Sequence, residues 1–260
     1  MNMELNLNQT VVNAFRILEC FDEKSRSYTC RELSDKLNIS NSSTWRLVQT
    51  LEYMGYLERL DNDRYSLGLK HLNFTRIILN NLRIRRVASP FLEALAKELK
   101  YNVSLGILEG GEVVYLIRIP SPEIPDTYFH IGRRVPVHAT ALGKALLAFQ
   151  SEEIQEETIA ELAMEEFTPN TITDKELLKQ ELVDINTKGY ALDDEEFIKA
   201  TRCLAMPIYN HSGKVIAAIS ISNNGMFETG ENGIFQHLDE VAKTAQTISN
   251  GTGYSLYNPF

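Results

Sequence analysis

One stretch, from Thr29 to Met54, constrains the fold of this 260-residue chain more than any other. Thr29 can cap a helix with its hydroxyl, and Glu32, three residues later, can return the hydrogen bond, which makes a capping box. Asn38-Ile39-Ser40 then interrupts the helix, because Asn and Ser side chains compete for backbone hydrogen bonds. A second helix from about Asn41 has a stripe at helical spacing, formed by Thr44, Leu47, Val48 and Leu51. The stretch predicts two helices joined by a tight turn.

The outward face of the second helix carries no carboxylate before Glu52. An acidic side chain there would repel phosphates, so its absence favours DNA as the partner. We interpret the pair as a helix-turn-helix whose second helix enters the major groove. An ordinary helical hairpin has the same periodicity and is the alternative. The residues of this helix that we predict to contact DNA are Ser42, Ser43, Thr44, Trp45, Arg46 and Gln49.

Two short β-prone runs, Tyr56–Leu60 and Arg64–Leu67, flank the turn residues Asp61-Asn62-Asp63. This pattern predicts a hairpin, here the wing of a winged helix. Arg59 and Arg64 would lie on or near the wing and reach the phosphate backbone or the minor groove. The two acids at the tip argue against deep insertion, and a purely structural hairpin is the alternative.

Charge is distributed unevenly along the chain. The formal net charge is −9, but residues 1–90 hold 13 basic and 10 acidic residues, whereas residues 91–260 hold 13 and 25. This asymmetry favours nucleic acid as the partner of the first part and a different role for the second. The three cysteines lack metal-ligand spacing, so we expect reduced thiols and neither a metal nor a cofactor. Without a signal peptide or an apolar run of about 20 residues, we expect a cytoplasmic protein that does not span a membrane.

The order of predicted elements gives four segments. Residues 1–69 form the winged helix-turn-helix, in which a first amphipathic helix packs through Val11, Ala14, Phe15, Leu18 and Phe21. Residues 70–88 form a linker helix, and Ser89 and Pro90 would begin the next helix. Hairpins and helices alternate over residues 89–250, including a strand from Thr127 to Ile131 and a helix from His138 to Phe149, which indicates an α+β domain. Residues 251–260 would be a loose tail.

Three separated regions then carry a family resemblance. They are SSTWRLVQTLEYMGYLER with DNDRYSLG in the first part, GRRVPVHATALGKALLA in the middle, and GYALDDEEFIKATRCLAMPI followed by VIAAISIS. Together they resemble the IclR family of transcriptional regulators over nearly the whole chain. The resemblance implies a GAF-like α/β effector-binding domain after the winged helix, a small organic acid as effector, and homodimers or homotetramers.

The resemblance also implies an effector pocket between the HATALGK helix and the central sheet. Its residues here would be Ala141, Leu142, Asp193, Cys203, Ser220 and Ser222. The family usually has Gly three positions before the cysteine, where this chain has Ala200 beside Lys199, so the rim of the pocket is expected to differ. The wing also lacks the Gly often found at its tip.

The residues themselves support the pocket. Ser220 and Ser222 are two apart on an otherwise apolar strand and therefore share one face. Buried hydroxyls need partners, and a carboxylate ligand accepts such bonds, although backbone neighbours can serve instead. Asp193 would repel an acid unless it binds a ligand hydroxyl or a water.

Function remains open between three hypotheses at this point. The leading one is a DNA-binding regulator, repressor or activator, whose binding to double-stranded operator DNA is switched by a small organic acid. The second is a small-molecule enzyme with an accessory helical domain, whose turnover would depend on the Cys203 thiol; Cys203, His138 and Asp193 are also the residue types of a Cys-His-Asp hydrolase. The third is a winged helix that binds protein; the acid-free helix face speaks against it.

Overall fold

The structure, a computed structural model, describes residues 7–121, 130–224 and 233–254. Its backbone divides into two units, Met1–Asn81 and Leu82–Phe260. The first unit has one hydrophobic core and the second has two, one on each face of its main sheet. Within the described residues, no helix combines the length and the apolar character needed to cross a membrane.

The N-terminal unit is a winged helix. Its helices are α1 (Gln9–Leu18), α2 (Cys30–Leu37), α3 (Asn41–Tyr53) and α4 (His71–Asn81), and its strands are β1 (Tyr28–Thr29), β2 (Leu57–Arg59) and β3 (Arg64–Leu67). Strand β3 pairs antiparallel with both β1 and β2. The capping box is present, because the Thr29 N–H donates to Glu32 Oε2 at 2.7 Å and the Glu32 N–H donates to Thr29 Oγ1 at 3.2 Å.

The inward face of α1 differs from the predicted one. Val11 and Phe15 are 50% and 61% exposed, whereas Ile17 is fully buried in the core that also holds Leu33 and Val48. The helix itself was predicted, but the assignment of Val11 and Phe15 to its packed face is wrong. Two apolar stripes run side by side along this short helix, and periodicity alone does not select between them.

The C-terminal unit is built on a six-stranded antiparallel sheet of order β6-β5-β4-β9-β8-β7. The strands are β4 (Asn102–Glu109), β5 (Glu112–Ile119), β6 (Arg134–Pro136), β7 (Ala191–Asp194), β8 (Thr201–Tyr209) and β9 (Val215–Asn224). Helices α6 (Ala141–Ala148), α7 (Glu152–Glu161) and α8 (Lys175–Lys188) belong to the core on one face, and α5 (Arg83–Leu99) and α9 (Leu238–Gly251) to the core on the other. The α+β class is confirmed.

Helix α5 begins earlier than the sequence suggested. We expected Ser89 to cap a helix with Pro90 in its first turn, but both lie inside α5, which starts at Arg83. Pro90 has no N–H to donate, and the Ser89 hydroxyl donates to the Arg85 carbonyl at 2.8 Å in the same turn. The helix continues because Ala88 and the leucines beyond it are buried against the sheet, and this packing outweighs the local cost of the proline.

Helix α6 begins later than predicted, at Ala141 rather than His138. Thr140 is its N-cap and accepts a hydrogen bond from the Gly143 N–H at 3.2 Å. A Cβ at Gly143 would lie 2.3 Å from the Val137 carbonyl oxygen, so only glycine permits the helix to lie this close to the preceding segment. The close approach carries Ala141 and Leu142 onto the sheet.

Two further predictions fall partly on residues outside the described ranges. Residues 127–129 of the expected strand Thr127–Ile131 lie outside, and Ile131 lies in a turn before β6. Residues 255–260 of the expected loose tail also lie outside. The described part of that segment is packed, since the Tyr254 N–H donates to the Ser249 carbonyl at 3.0 Å and the Tyr254 ring stacks on Tyr209 with centroids 5.0 Å apart.

Candidate functional site

The outward face of α3 is the candidate DNA interface in the N-terminal unit. Its exposed side chains are Ser42, Ser43, Trp45, Arg46 and Gln49. Ser40 caps the helix, its hydroxyl accepting from the Ser43 N–H at 3.3 Å. The first turn thus offers hydroxyls and the positive end of the helix dipole to an anion. No ion pair of the described residues engages Arg46, so its guanidinium can reach a DNA partner.

Thr44 is a correction to the predicted interface. Its side chain is fully buried, on the same face of α3 as Val48 and Leu51. The hydroxyl therefore cannot reach a phosphate or a base, and the prediction that Thr44 contacts DNA is wrong. The apolar stripe had already placed this position on the inner side of the helix, and that packing decides its orientation.

The two wing arginines differ in their surroundings. Arg59 forms an ion pair with Asp63 at the tip of the hairpin, and both side chains are largely exposed. Arg64 donates to the Ser27 hydroxyl at 2.9 Å and lies 3.1 Å from Glu32 of the capping box. Arg64 therefore ties β3 to the start of α2, whereas Arg59 can exchange its carboxylate for a phosphate.

The candidate ligand site is a cavity in the C-terminal unit, below α6 and beside the loop of residues 195–200, hereafter the cavity loop. The six residues predicted from the resemblance all line it: Ala141, Leu142, Asp193, Cys203, Ser220 and Ser222. The sequence missed the other lining residues, which are Asn102, Ser104, Tyr115, Arg118, Thr140, Phe197, Ile198 and Thr201.

Strand register explains why these distant residues meet. One row across the sheet runs Arg118, Ser104, Ser220, and a second runs Asn102, Ser222, Cys203, Asp193. Residues directly opposite each other on neighbouring strands share a face, and so do residues two apart on one strand. The two rows therefore form one polar floor beneath α6.

Arg118 supplies the positive charge of the cavity. Its Nη1 donates to the Ser104 hydroxyl at 2.8 Å and lies 3.5 Å from the Ser222 hydroxyl. Arg118 and Tyr115 are three residues apart, so in a regular strand they would point to opposite faces. A bulge at Leu105/Gly106 in the pairing with β5 brings both onto the cavity side. Alternation along β5 gives no signal for this arrangement.

Asp193 is buried in the cavity wall. Burial is the main cause that raises the pKa of its carboxyl to about 7, and the charge of Glu196 raises it further, while the Glu196 N–H and Lys144 oppose the shift. Burial and the nearby Asp193 also raise the pKa of the Cys203 thiol well above its usual value. Near neutral pH, Asp193 therefore carries a proton in a large fraction of molecules and can donate it to a ligand oxygen.

The Cys-His-Asp arrangement of the enzyme hypothesis does not form. His138 lies outside the group of residues that line the cavity, and its Nε2 lies 3.0 Å from the Glu165 carbonyl. A thiol with a raised pKa is a poor nucleophile. Among the described residues, no three His, Cys, Asp or Glu side chains form a group that could hold a metal ion.

The cavity loop holds its backbone in an unusual conformation. Glu195 and Ala200 have φ of 60° and 58°, in the left-handed region that favours glycine. The Ala200 N–H donates to Glu195 Oε2 at 2.8 Å, which joins the two ends of the loop. Ala200 is also the position at which the resemblance led us to expect Gly, and its positive φ is a conformation that favours Gly.

Comparison with known proteins identifies both units. Residues 10–61 match the IclR helix-turn-helix domain, and residues 77–250 match the bacterial transcriptional regulator IclR C-terminal domain. The chain is 35% identical over 215 residues to the HTH-type transcriptional regulator XynR of Escherichia coli, covering 82% of this chain and 85% of XynR.

Two solved structures extend the similarity to the fold. The IclR of Thermotoga maritima is 32% identical, with a TM-score of 0.74 over 95% of this chain and 99% of its own. An IclR homolog from Microbacterium hydrocarbonoxydans complexed with 4-hydroxybenzoate is 26% identical, with a TM-score of 0.78 over 93% of this chain and 98% of its own. Relatives of this kind are regulators, and the enzyme hypothesis has no support. The chain belongs to the IclR family of transcriptional regulators.

Proposed function

We propose that this regulator binds double-stranded operator DNA through the outward face of α3 and releases or engages it when a small organic acid occupies the cavity. In the N-terminal unit, Arg46 and Gln49 contact base edges, while Ser42, Ser43 and Arg59 contact phosphates. Trp45 packs on the backbone or a thymine methyl. Arg64 contributes through its hold on β3 and α2.

The polar floor of the cavity carries the ligand assignment. Arg118 is a half-buried cation set among the hydroxyls of Ser104 and Ser222, and a carboxylate binds such a group through charge-assisted hydrogen bonds. Asp193, at the other end of the floor, donates its proton to a hydroxyl or carbonyl of the same ligand. Leu142 and Phe197 contact its carbon skeleton. A small acid with a second oxygen function is the ligand class that satisfies all of these groups.

The switch requires more than one copy of the chain. Side chains of α1 and α4 leave apolar surface exposed in the N-terminal unit, among them Phe15, Leu72 and Ile78. Such surface favours self-association. In a homodimer or homotetramer, two copies of α3 would read half-sites about one DNA turn apart or a multiple of it. The acid acts to the extent that it binds one arrangement of the copies more tightly than the other.

Arg46→Ala tests the DNA interface. Operators selected from a random double-stranded library would be labelled, and binding would be followed by fluorescence anisotropy. We expect binding to fall to the non-specific level while the circular dichroism spectrum is unchanged. Lys97→Ala, which removes one positive charge from an exposed position of α5, is the control and keeps full affinity. Full affinity of Arg46→Ala would contradict the interface.

A thermal-shift screen of the full chain tests the ligand. The panel would contain 4-hydroxybenzoate together with small keto, hydroxy and sugar acids. A ligand at a hundred times its dissociation constant adds about 2.7 kcal/mol of stability, which raises the unfolding temperature. The stabilising acid should also change operator affinity, and Ser220→Val with Ser222→Val should abolish that change but not DNA binding. A response that survives in the double variant would contradict the site.

A further inference from the structure

Lys144 on α6 is a fully buried cation whose role the ligand site does not explain. Its side chain is 1% exposed, and its Nζ donates to Glu196 Oε1 at 2.6 Å and to Glu181 Oε1 at 3.4 Å. Replacing a buried ion pair with apolar residues is often neutral or stabilising, so such a pair is weak evidence for a purely stabilising role. The positions of its two partners, Glu196 and Glu181, indicate a more specific role for Lys144.

The inner partner, Glu196, holds the cavity wall. Its backbone N–H donates to Asp193 Oδ1 at 2.8 Å, in addition to the bond between its carboxylate and Lys144. The same backbone segment is fixed from behind, because the hydroxyls of Thr168 and Thr171 donate to the Glu195 and Glu196 carbonyls, each at 2.6 Å. The backbone that bonds to Asp193 is therefore held by several hydrogen bonds, which restrict the position of the Asp193 carboxyl in the cavity wall.

The outer partner, Glu181, belongs to the surface helix α8. Its side chain is one-third exposed and borders a groove with Leu177 and Val183, which are 56% and 66% exposed. One ammonium thus contacts the cavity loop on one side and α8 on the other. An unbroken series of hydrogen bonds runs from Asp193 through Glu196 and Lys144 to Glu181.

We propose that Lys144 is a positioning residue for the ligand response: it fixes Asp193 through Glu196 and links the cavity loop to α8, so that a change at Asp193 alters α8. This inference rests on the proposed function, because it takes Asp193 as part of the ligand site. Helix α8 is then the surface element whose structure responds to the state of the cavity.

Charges around Asp193 make the link measurable without a ligand. Asp193 faces Lys144 from α6, Glu196 from the cavity loop, Cys203 from β8 and Tyr115 from β5, and the charge of Arg118 on β5 acts on Cys203 and Tyr115. The charge of Glu196 raises the pKa of Asp193 and that of Lys144 lowers it.

The first experiment is therefore a ¹³C NMR titration of the Asp193 carboxyl in the full chain labelled at aspartate. Glu196→Gln keeps the shape of the side chain and the backbone N–H but removes the negative charge. The positive charge of Lys144 is then no longer offset by Glu196. We expect the Asp193 midpoint to fall by at least about half a pH unit. Glu181→Gln, on the same ammonium but farther from the cavity, is the control and leaves the midpoint in place. An unchanged midpoint in Glu196→Gln, or an equal shift in both variants, overturns the positioning role.

The second experiment follows backbone hydrogen exchange in the full chain. Asp193→Ala removes the acceptor of the Glu196 N–H, and we expect faster exchange in the cavity loop and α8, with α5 and α9 unchanged. Ser104→Ala, also in the cavity but outside the series of hydrogen bonds, leaves α8 unchanged. Faster exchange throughout the C-terminal unit, or none in α8, overturns the link. Neither experiment uses a ligand, so failure of the acid screen is distinguishable from failure of this inference.

Discussion

The two faces of the central sheet are both buried, yet they are chemically different. Along β9, Ile219 and Ile221 are fully buried against the core that includes α5 and α9, whereas Ser220 and Ser222 point the other way into the cavity beneath α6. A sheet covered by helices on both faces is usually apolar on both. The face toward α6 departs from that rule at its centre.

This difference indicates what each face contributes. Apolar side chains on the α5 and α9 face stabilise the fold by leaving water. The buried hydroxyls and the half-buried Arg118 guanidinium on the other face lose contact with water and add little to stability even when hydrogen-bonded. The polar face is therefore best explained by a ligand, and stability and ligand binding should respond separately to substitutions on the two faces.

The largest effect should come from Ile221→Ala. Removing a fully buried isoleucine side chain leaves a cavity, so we expect the free energy of unfolding to fall by about 2–5 kcal/mol. Its neighbour Ser222 provides the matched variant on the other face, and Ser222→Ala should cost less than about 1 kcal/mol. Urea unfolding of both proteins measures the difference. Equal losses of unfolding free energy in the two variants would show that both faces contribute equally to stability, which would contradict the different roles assigned to them.

Arg118→Met should mainly reduce ligand affinity, whereas Ile221→Ala should mainly reduce stability. The stabilising acid would lose its charged partner, and we expect affinity by calorimetry to fall at least about tenfold, since a hydrogen bond to a charged group contributes about 1.5–3 kcal/mol. The free energy of unfolding, measured in urea, should fall by less than in Ile221→Ala, because the Arg118 side chain is only half-buried. Arg134→Met is the control, because Arg134 pairs with Glu109 and Glu112 on an exposed edge of the same sheet. A similar loss of affinity in the control would contradict the assignment.

Asp193 should make acid binding depend on pH. Its pKa is raised to about 7, so the folded protein retains a proton there that the unfolded chain releases at lower pH. Stability of the ligand-free protein should therefore decrease as the pH rises from about 4 to about 7 and change little from this group above that. An acid anion favours the protonated form, so its affinity should fall about tenfold between pH 6 and pH 8. Asp193→Asn should remove both dependences, and persistence of either would assign it to another group.

Local sequence patterns predicted the elements and part of the cavity well. The capping box and the wing depend on neighbours in sequence, and the family motifs place Ser220 and Cys203 without any knowledge of register. Thr44 shows the limit of a surface pattern, because it belonged to the buried stripe and was still assigned to DNA.

The features that sequence could not predict depend on distant partners. Arg118 reaches the cavity because of a bulge, and Lys144 is paired with residues 37 and 52 positions away. The spacing of apolar and polar residues along the sequence gives no information about such long-range contacts. Ala200 lies between these cases: the departure from the family's Gly was visible in the sequence, but its left-handed backbone required the structure.

Ala200→Gly should give the smallest of these effects. It tests whether the backbone is strained on the cavity side of the sheet, in comparison with a position on the apolar side. A left-handed conformation costs a non-glycine residue about 1–2 kcal/mol, and the greater freedom of glycine in the unfolded chain cancels about half of that. We expect a net gain of about 0.5–1 kcal/mol in the free energy of unfolding. Ala94→Gly, at an exposed position in α5 on the apolar side, should lose about 1 kcal/mol, because glycine is a poor helix former. Opposite signs would show that strain is held in the cavity wall, whereas a loss in both variants would mean that the fold tolerates Ala200 without strain.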